Sequence, residues 1–262
     1  MKICAIPFDI VYGDVEANLL AMAHALHAVE PDTDVVVIPE LFTTSFVQDR
    51  REQKLWAETD EGHTVDSLRR WAQFFGFAIA GSYLHTDGHD NYTNRGFFVE
   101  PSGEIAFYDK RHLFPLSTED KVYTAGREMP LRVRFRGWEF MLVLCFDVRF
   151  PVWTRNRPGA LYDVLLVPAN WPRSRADQLR ILLAARAVEN QAYVVCANRS
   201  GSDNYGEYHP SETQIYDNLG NPIQETRSAS GYRYALLSRA DLDKGRERFP
   251  AWRASDSWTI DL

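Results

Sequence analysis

The chain is short of cysteine, long apolar runs, basic tracts and glycine-rich phosphate loops, and each shortage removes a class of function. Only three cysteines, Cys4, Cys145 and Cys196, occur in 262 residues. They lie far apart without paired or metal-type spacing, which fits a reducing compartment better than a disulfide framework. No stretch approaches the roughly 20 apolar residues of a membrane span, and Met1 to Pro7 has no apolar core of signal-peptide length. The expectation is a cytoplasmic protein that does not enter a membrane. The formal charge of −7 is modest and no basic patch is visible, so nucleic acid is not an expected partner. Without a phosphate-cradling loop, nucleotide use is unsupported. Small molecules and further copies of the chain remain as partners.

What is present is a core-forming composition, 45% hydrophobic, arranged as short apolar runs alternating with amphipathic helices. That rhythm predicts a layered α/β fold. Asp14 reads as an N-cap, followed by Leu19, Met22, Ala23, Leu26 and Val29 at helical spacing. Val35 to Ile38 then reads as a buried strand running into Pro39-Glu40. A second helix is expected from Thr64 to Gly76, and then a strand over Phe77 to Ala80. Two hairpins follow, one turning at Pro101-Ser102-Gly103 and one at Arg136-Gly137. The first ends just before Lys110, and the second delivers an apolar strand into Cys145. Asp163 to Pro168 echoes Asp34 to Pro39, and a helix over about Asp177 to Glu189 accompanies it, a weak internal duplication. Strands near Thr213 to Tyr216 and Tyr234 to Leu237 complete one domain over residues 1–262. The charged, aromatic tail from about residue 241 is expected to contact a partner subunit.

Glu40, Lys110 and Cys145 stand out because sites in open α/β sheets assemble at strand ends. Singly, each has a plain structural alternative: a helix cap, a solvated loop charge and an inert buried thiol. His112, two residues beyond Lys110, keeps a Cys–His hydrolase open as a second chemistry. His85 and His89 flank a polar turn and supply no metal-ligand pattern.

Three stretches remove much of that ambiguity. Ile38-Pro39-Glu40-Leu41-Phe42, Tyr108-Asp109-Lys110-Arg111-His112-Leu113-Phe114 and Leu144-Cys145-Phe146-Asp147-Val148-Arg149-Phe150-Pro151 resemble the signatures of the nitrilase superfamily of carbon–nitrogen hydrolases. The similarity continues through Ala169-Asn170-Trp171-Pro172, residues 185–193 and residues 248–252. These last stretches look most like the bacterial ω-amidase branch, which hydrolyses the terminal amide of 2-oxoglutaramate and 2-oxosuccinamate. The resemblance implies a four-layer α-β-β-α sandwich that forms a homodimer through helices near the site, with no cofactor and no metal.

It also implies roles. Cys145 would be the nucleophile, Glu40 the base and Lys110 an oxyanion partner. A free thiol has a pKa of about 8.5, so it needs a base to attack at neutral pH. The backbone N–H of Phe146 is the second oxyanion donor expected. Glu119 resembles a second glutamate of such sites, supporting substrate or Lys110, unless it is a surface carboxylate. A 2-oxo acid needs an arginine that grips a carboxylate. Arg175 is the first choice, with Arg173 and Arg149 behind it, and the favoured role of Arg149 is to brace Asp147 or a helix end. Phe42, Asn170 and Trp171 are expected to shape the pocket. Alternatives are an N-carbamoyl amino acid or deaminated glutathione amidase of the same superfamily, or a catalytically silent binding module.

Overall fold

The computed structural model describes residues 1–223 and 231–262. In chain order the elements are β1 (Lys2–Ala5), β2 (Phe8–Asp9), α1 (Val15–His27), β3 (Val35–Val37), α2 (Arg50–Trp56), α3 (His63–Phe75), β4 (Ala78–Thr86), β5 (Tyr92–Val99) and β6 (Ile105–Asp109). They continue with α4 (Glu119–Val122), β7 (Leu131–Phe135), β8 (Trp138–Leu142), β9 (Val164–Ala169), α5 (Ala176–Asn190), β10 (Tyr193–Asp203), β11 (Gly206–Tyr208), β12 (Gln214–Tyr216), β13 (Arg233–Leu236) and α6 (Arg239–Arg248).

Two sheets form, ordered β13-β1-β3-β4-β5-β6 and β11-β10-β9-β8-β7, with β12 and β2 also pairing to β10. Each has a parallel trio, β1-β3-β4 in one and β8-β9-β10 in the other. The echoing segments of the sequence are β3 and β9, the middle strand of each trio. Their continuous apolar runs follow from burial on both faces. Leu19, Met22 and Leu26 of α1 and Val65, Leu68 and Ala72 of α3 cover the outer face of the first sheet. Leu179, Leu183 and Ala187 of α5 join the core of the second sheet. Between the sheets, Val35, Val37, Ala78 and Phe98 share one core with Phe140, Leu142 and Leu166. The architecture is the expected α-β-β-α sandwich.

Local signals account for the boundaries. Asp14 caps α1 by accepting from the Ala17 N–H at 3.0 Å, and Gly76 ends α3 in the left-handed conformation. Gly96 in β5 serves packing: a Cβ there would lie 2.6 Å from Leu142 of the facing sheet. Only a residue without a side chain lets the two sheets approach this closely beside the strand that leads to Cys145.

The C-terminal helix α6 is bound to its own chain. Asp163 accepts from Arg239 at 2.7 Å, from Arg246 at 2.9 Å and from the Glu139 N–H at 2.9 Å. Beyond it, Arg157 stacks on Trp258. Burial works to raise the pKa of Asp163, but the arginines and the N–H outweigh it and hold the carboxyl below its usual value. A carboxyl with a depressed folded pKa adds stability above its unfolded pKa and loses it as pH falls through the folded value. Asp163→Asn should therefore cost about 2–4 kcal/mol at neutral pH, as expected for one partner removed from a largely buried ion pair. In thermal melts the gap between variant and parent should narrow below about pH 4. A gap that stays constant from pH 7 to pH 3 would rule this role out.

Candidate active site

Four strand ends converge on one cavity of about 370 Å³. Glu40 follows β3, Lys110 follows β6, Cys145 follows β8 and Asn170 follows β9. All four line the cavity. Glu40 and Lys110 are each 3% exposed, Glu119 1% and Cys145 7%.

Lys110 Nζ donates to Glu40 Oε1 at 2.9 Å and to Glu119 Oε1 at 2.7 Å. Glu119 Oε2 accepts the Phe114 N–H at 2.6 Å, which fixes the loop ahead of α4 over the cavity. Glu119 is thus an interior carboxylate, and the surface reading of it does not hold. Glu40 Oε1 also accepts from Asn94 Nδ2 at 2.7 Å, and its Oε2 accepts the Asn170 N–H at 2.9 Å. The Glu40 carboxylate stands close enough to Cys145 to act on its thiol.

These contacts set the charge states. Burial alone would lower the pKa of Lys110, but Glu119 and Glu40 outweigh it and hold the ammonium well above its ordinary value. Burial raises Glu119, with Lys110 opposing. Burial raises the Cys145 thiol well above a free cysteine, and the charge of Glu40 adds to this against the pull of Lys110. The resting site therefore holds a neutral thiol beside a carboxylate that can receive its proton. An ammonium has three N–H donors, of which the two glutamates occupy two, and the third is available to a ligand in the cavity.

Cys145 sits at φ 43°, in the left-handed region, at the start of a 3-10 turn over Cys145–Arg149. Such strain in a non-glycine residue persists only where surroundings impose it. Asp147 does this here, accepting from the Leu144 N–H at 3.0 Å, Tyr108 Oη at 2.8 Å and the His112 N–H at 3.0 Å. Its fourth partner is His112 Nδ1 at 2.8 Å. His112 stacks on Phe150 and does not line the cavity, so the Cys–His alternative lacks its histidine. His85 is likewise engaged internally, with Thr93 and Arg95.

The predicted pocket residues divide. Phe146, Trp171, Asn170 and Arg175 line the cavity, while Phe42 and Arg173 do not. Phe42 is wholly buried against Phe97 in the core beneath α3. As an i, i+2 partner of Glu40 it would share its face in a regular strand, but Leu41 adopts φ 51° and breaks the alternation. Arg173 opens a tight 3-10 turn, Arg173–Arg175, and lies outside near Glu207 at 3.6 Å. Arg149 also differs from expectation. It makes no ion pair with Asp147 and lines the cavity, its guanidinium 5.0 Å from the centre of Trp171. Arg175 lies 4.8 Å from the centre of Phe114. Among the described residues, neither arginine is paired with a carboxylate.

Sequence reasoning missed Asn94, Tyr205 and Tyr208. No local mark separates the first, which sits between Thr93 and Arg95 in the strand Tyr92–Val99. The tyrosines reach the cavity only through the β10–β11 hairpin, a tertiary placement with no local mark.

The carbon–nitrogen hydrolase profile matches residues 3–246. The ω-amidase YafV of Yersinia enterocolitica is 39% identical over 262 residues, spanning 99% of this chain and 98% of that protein. The 2-oxoglutaramate amidase of Bacillus subtilis is 31% identical over 252 residues, 95% of each chain. Among solved structures, XC1258 of Xanthomonas campestris, a CN-hydrolase superfamily protein with an arsenic adduct in its active site, has a TM-score of 0.91. It is 35% identical, with 100% of this chain and 99% of that one covered.

The three thiols differ in access. Cys4 and Cys196 are fully buried inside strands, and burial pushes Cys4 up to about 12, whereas Cys145 opens to the cavity. Limited iodoacetamide treatment of the folded protein should modify Cys145 alone by peptide mass spectrometry, the other two reacting only after denaturation. Equal native labelling of Cys4 or Cys196 would contradict the placement.

Proposed function

The chain belongs to the carbon–nitrogen hydrolase family, and we propose that within it the protein is an ω-amidase. It hydrolyses the terminal amide of a 2-oxo dicarboxylic acid monoamide, 2-oxoglutaramate or 2-oxosuccinamate, to the acid and ammonia. The observation that carries this reading is a single cavity with Glu40, Lys110 and Cys145 on its floor and two arginines, Arg149 and Arg175, without carboxylate partners on its wall.

The chemistry follows from the contacts. Cys145 Sγ attacks the amide carbon as its proton passes to Glu40. The carbonyl oxygen becomes an oxyanion, taken by the third N–H of Lys110 and the backbone N–H of Phe146. One such donor is typically worth about 10²–10³ in rate. Glu40 then returns the proton to the nitrogen, the C–N bond breaks, and ammonia leaves a thioester on Cys145. Water enters, gives a proton to Glu40 and adds to the thioester carbon. The C–S bond breaks, the acid departs, and the proton returns to the thiol. Glu119 acts through Lys110, holding the ammonium in place and charged.

The far end of the substrate carries a carboxylate. Arg175 is its first partner in this reading, with Arg149 alongside, and both are pre-oriented by stacking on aromatic rings. Asn170 and Trp171 shape the space between. Residues 1–262 work as one domain in a cytoplasmic homodimer. Ile181 and Val188 on α5, together with Leu219 and Phe249, are exposed apolar side chains that such a dimer would cover.

Ammonia release from a panel of ω-amides, N-carbamoyl amino acids and simple nitriles tests the reading. Cys145→Ala should lose at least about 10⁴-fold in kcat. Undiminished turnover by Cys145→Ala would exclude the thioester, and a carbamoyl compound preferred to every 2-oxo amide would exclude the ω-amidase assignment. Arg175→Ala should cost about 10–100-fold in kcat/KM for 2-oxo acid amides, mostly through KM, as expected when a hydrogen bond to a charged group is lost. It should cost little for an uncharged amide. Arg173→Ala, outside the cavity, should match the parent on both.

A further inference from the structure

We infer that Asn94 is a positioning residue that makes Glu40 a one-sided base, leaving Oε2 as the oxygen that exchanges a proton with Cys145. The inference rests on the reaction proposed above and adds a residue to it.

Asn94 is fully buried in the middle of β5, the strand between β4 and β6. Its side chain and its backbone hold different members of the site. Nδ2 donates to Glu40 Oε1 at 2.7 Å, while the backbone carbonyl accepts the Lys110 N–H at 3.0 Å. One residue thereby sets the distance between the base and the ammonium. The amide orientation follows from chemistry, because the flipped rotamer would press a carbonyl oxygen against a carboxylate oxygen. In the orientation present, Oδ1 has no hydrogen-bond partner among the described residues. A buried polar atom left unmatched costs free energy, so the amide is held there by its contact with Glu40 and not by a network of its own.

The consequence lies in how the two oxygens of Glu40 are used. Oε1 receives Asn94 and Lys110, and Oε2 receives only the Asn170 N–H. Two donors satisfy Oε1, so the thiol proton goes to Oε2. Rotation of the carboxylate, which would exchange the oxygens, breaks the Asn94 bond. Proton transfer to Cys145, to the leaving nitrogen and from water then all run through one fixed atom.

Two substitutions of similar size test this in the full-length enzyme with its best amide substrate. Asn94→Leu removes the donor and should lower kcat about 10–100-fold with KM within about threefold of the parent. Asn94→Asp sets a carboxylate against Glu40, where the charged neighbours are Lys110 and Glu119 and the thiol is Cys145. Two such carboxyls share a proton at lower pH. Once protonated, the introduced carboxyl donates to Glu40 as the amide does, so the activity of Asn94→Asp relative to the parent should rise as pH falls from about 8 to about 5.5. A packing role alone produces no such acid rescue. Thermal melts identify a variant that does not fold, and the other then decides. The inference is overturned if a folded Asn94→Leu keeps kcat within twofold, if the loss falls on KM, or if Asn94→Asp follows the parental pH profile. Glu40→Gln and Cys145→Ala run alongside: activity surviving in those two defeats the proposed reaction itself, whereas their inactivity with active Asn94 variants defeats only this inference.

Discussion

An ammonium group in a place that water scarcely reaches is the constraint around which the site is organised. Lys110 Nζ has two carboxylates within 2.9 Å, and all three side chains are buried. Removing such charges from water costs several kcal/mol per ion, so the cluster persists only because the charged groups are paired and further donors hold both carboxylates. That requirement explains the supporting bonds. The Phe114 N–H holds Glu119, and Asn94 and the Asn170 N–H hold Glu40. These partners come from β5, the end of β9 and the loop before α4, so both sheets must close correctly before the charges are balanced.

The same closure sets the thiol. Cys145 lies in a conformation that its residue type disfavours, and Asp147 imposes it by tying Leu144 to Tyr108 and His112. Tyr108 and His112 flank Lys110 in the chain. The turn carrying the thiol and the segment carrying the ammonium are therefore fastened to one another by a single carboxylate. Gly96 acts on the same region by letting β5 meet Leu142 at a close approach of the sheets. A small displacement there would shift Cys145 relative to Glu40, because Cys145 lies three residues beyond Leu142 and Asn94, which bonds Glu40, two residues before Gly96.

Much of this was legible in the sequence where the signal is local. Apolar runs ending in Glu40, Lys110 and Cys145 marked three strand ends, and the Asp14 cap and the Gly76 stop bounded their helices correctly. Glu119 could be placed only through the resemblance of its stretch, because nothing local separates a buried carboxylate from an exposed one. Side-chain direction was the part that failed. Phe42 left the pocket because one residue, Leu41, takes a positive φ, and Arg149 lines the cavity while Arg173, expected beside it, does not, because tight 3-10 turns send successive side chains in different directions. The β10–β11 hairpin brings Tyr205 and Tyr208 from a distant part of the chain, and no local pattern encodes that meeting.

Floor and wall of the cavity obey different physics, and this bears on how such a site diverges. On the floor, Glu40, Lys110, Glu119 and Cys145 are interlocked by burial, with Asn94 bonded to Glu40, so replacing one leaves another charged or polar group unmatched. On the wall, Arg149 and Arg175 rest on Trp171 and Phe114 without carboxylate partners among the described residues. An arginine held by stacking at a cavity edge can be replaced with little penalty to folding, since no buried counter-charge is orphaned. Under the proposed reaction, specificity for the far end of a substrate is therefore free to change while the buried cluster stays fixed. The fold separates the two physically, placing the buried charged cluster at converging strand ends and the stacked arginines on the turns that follow them.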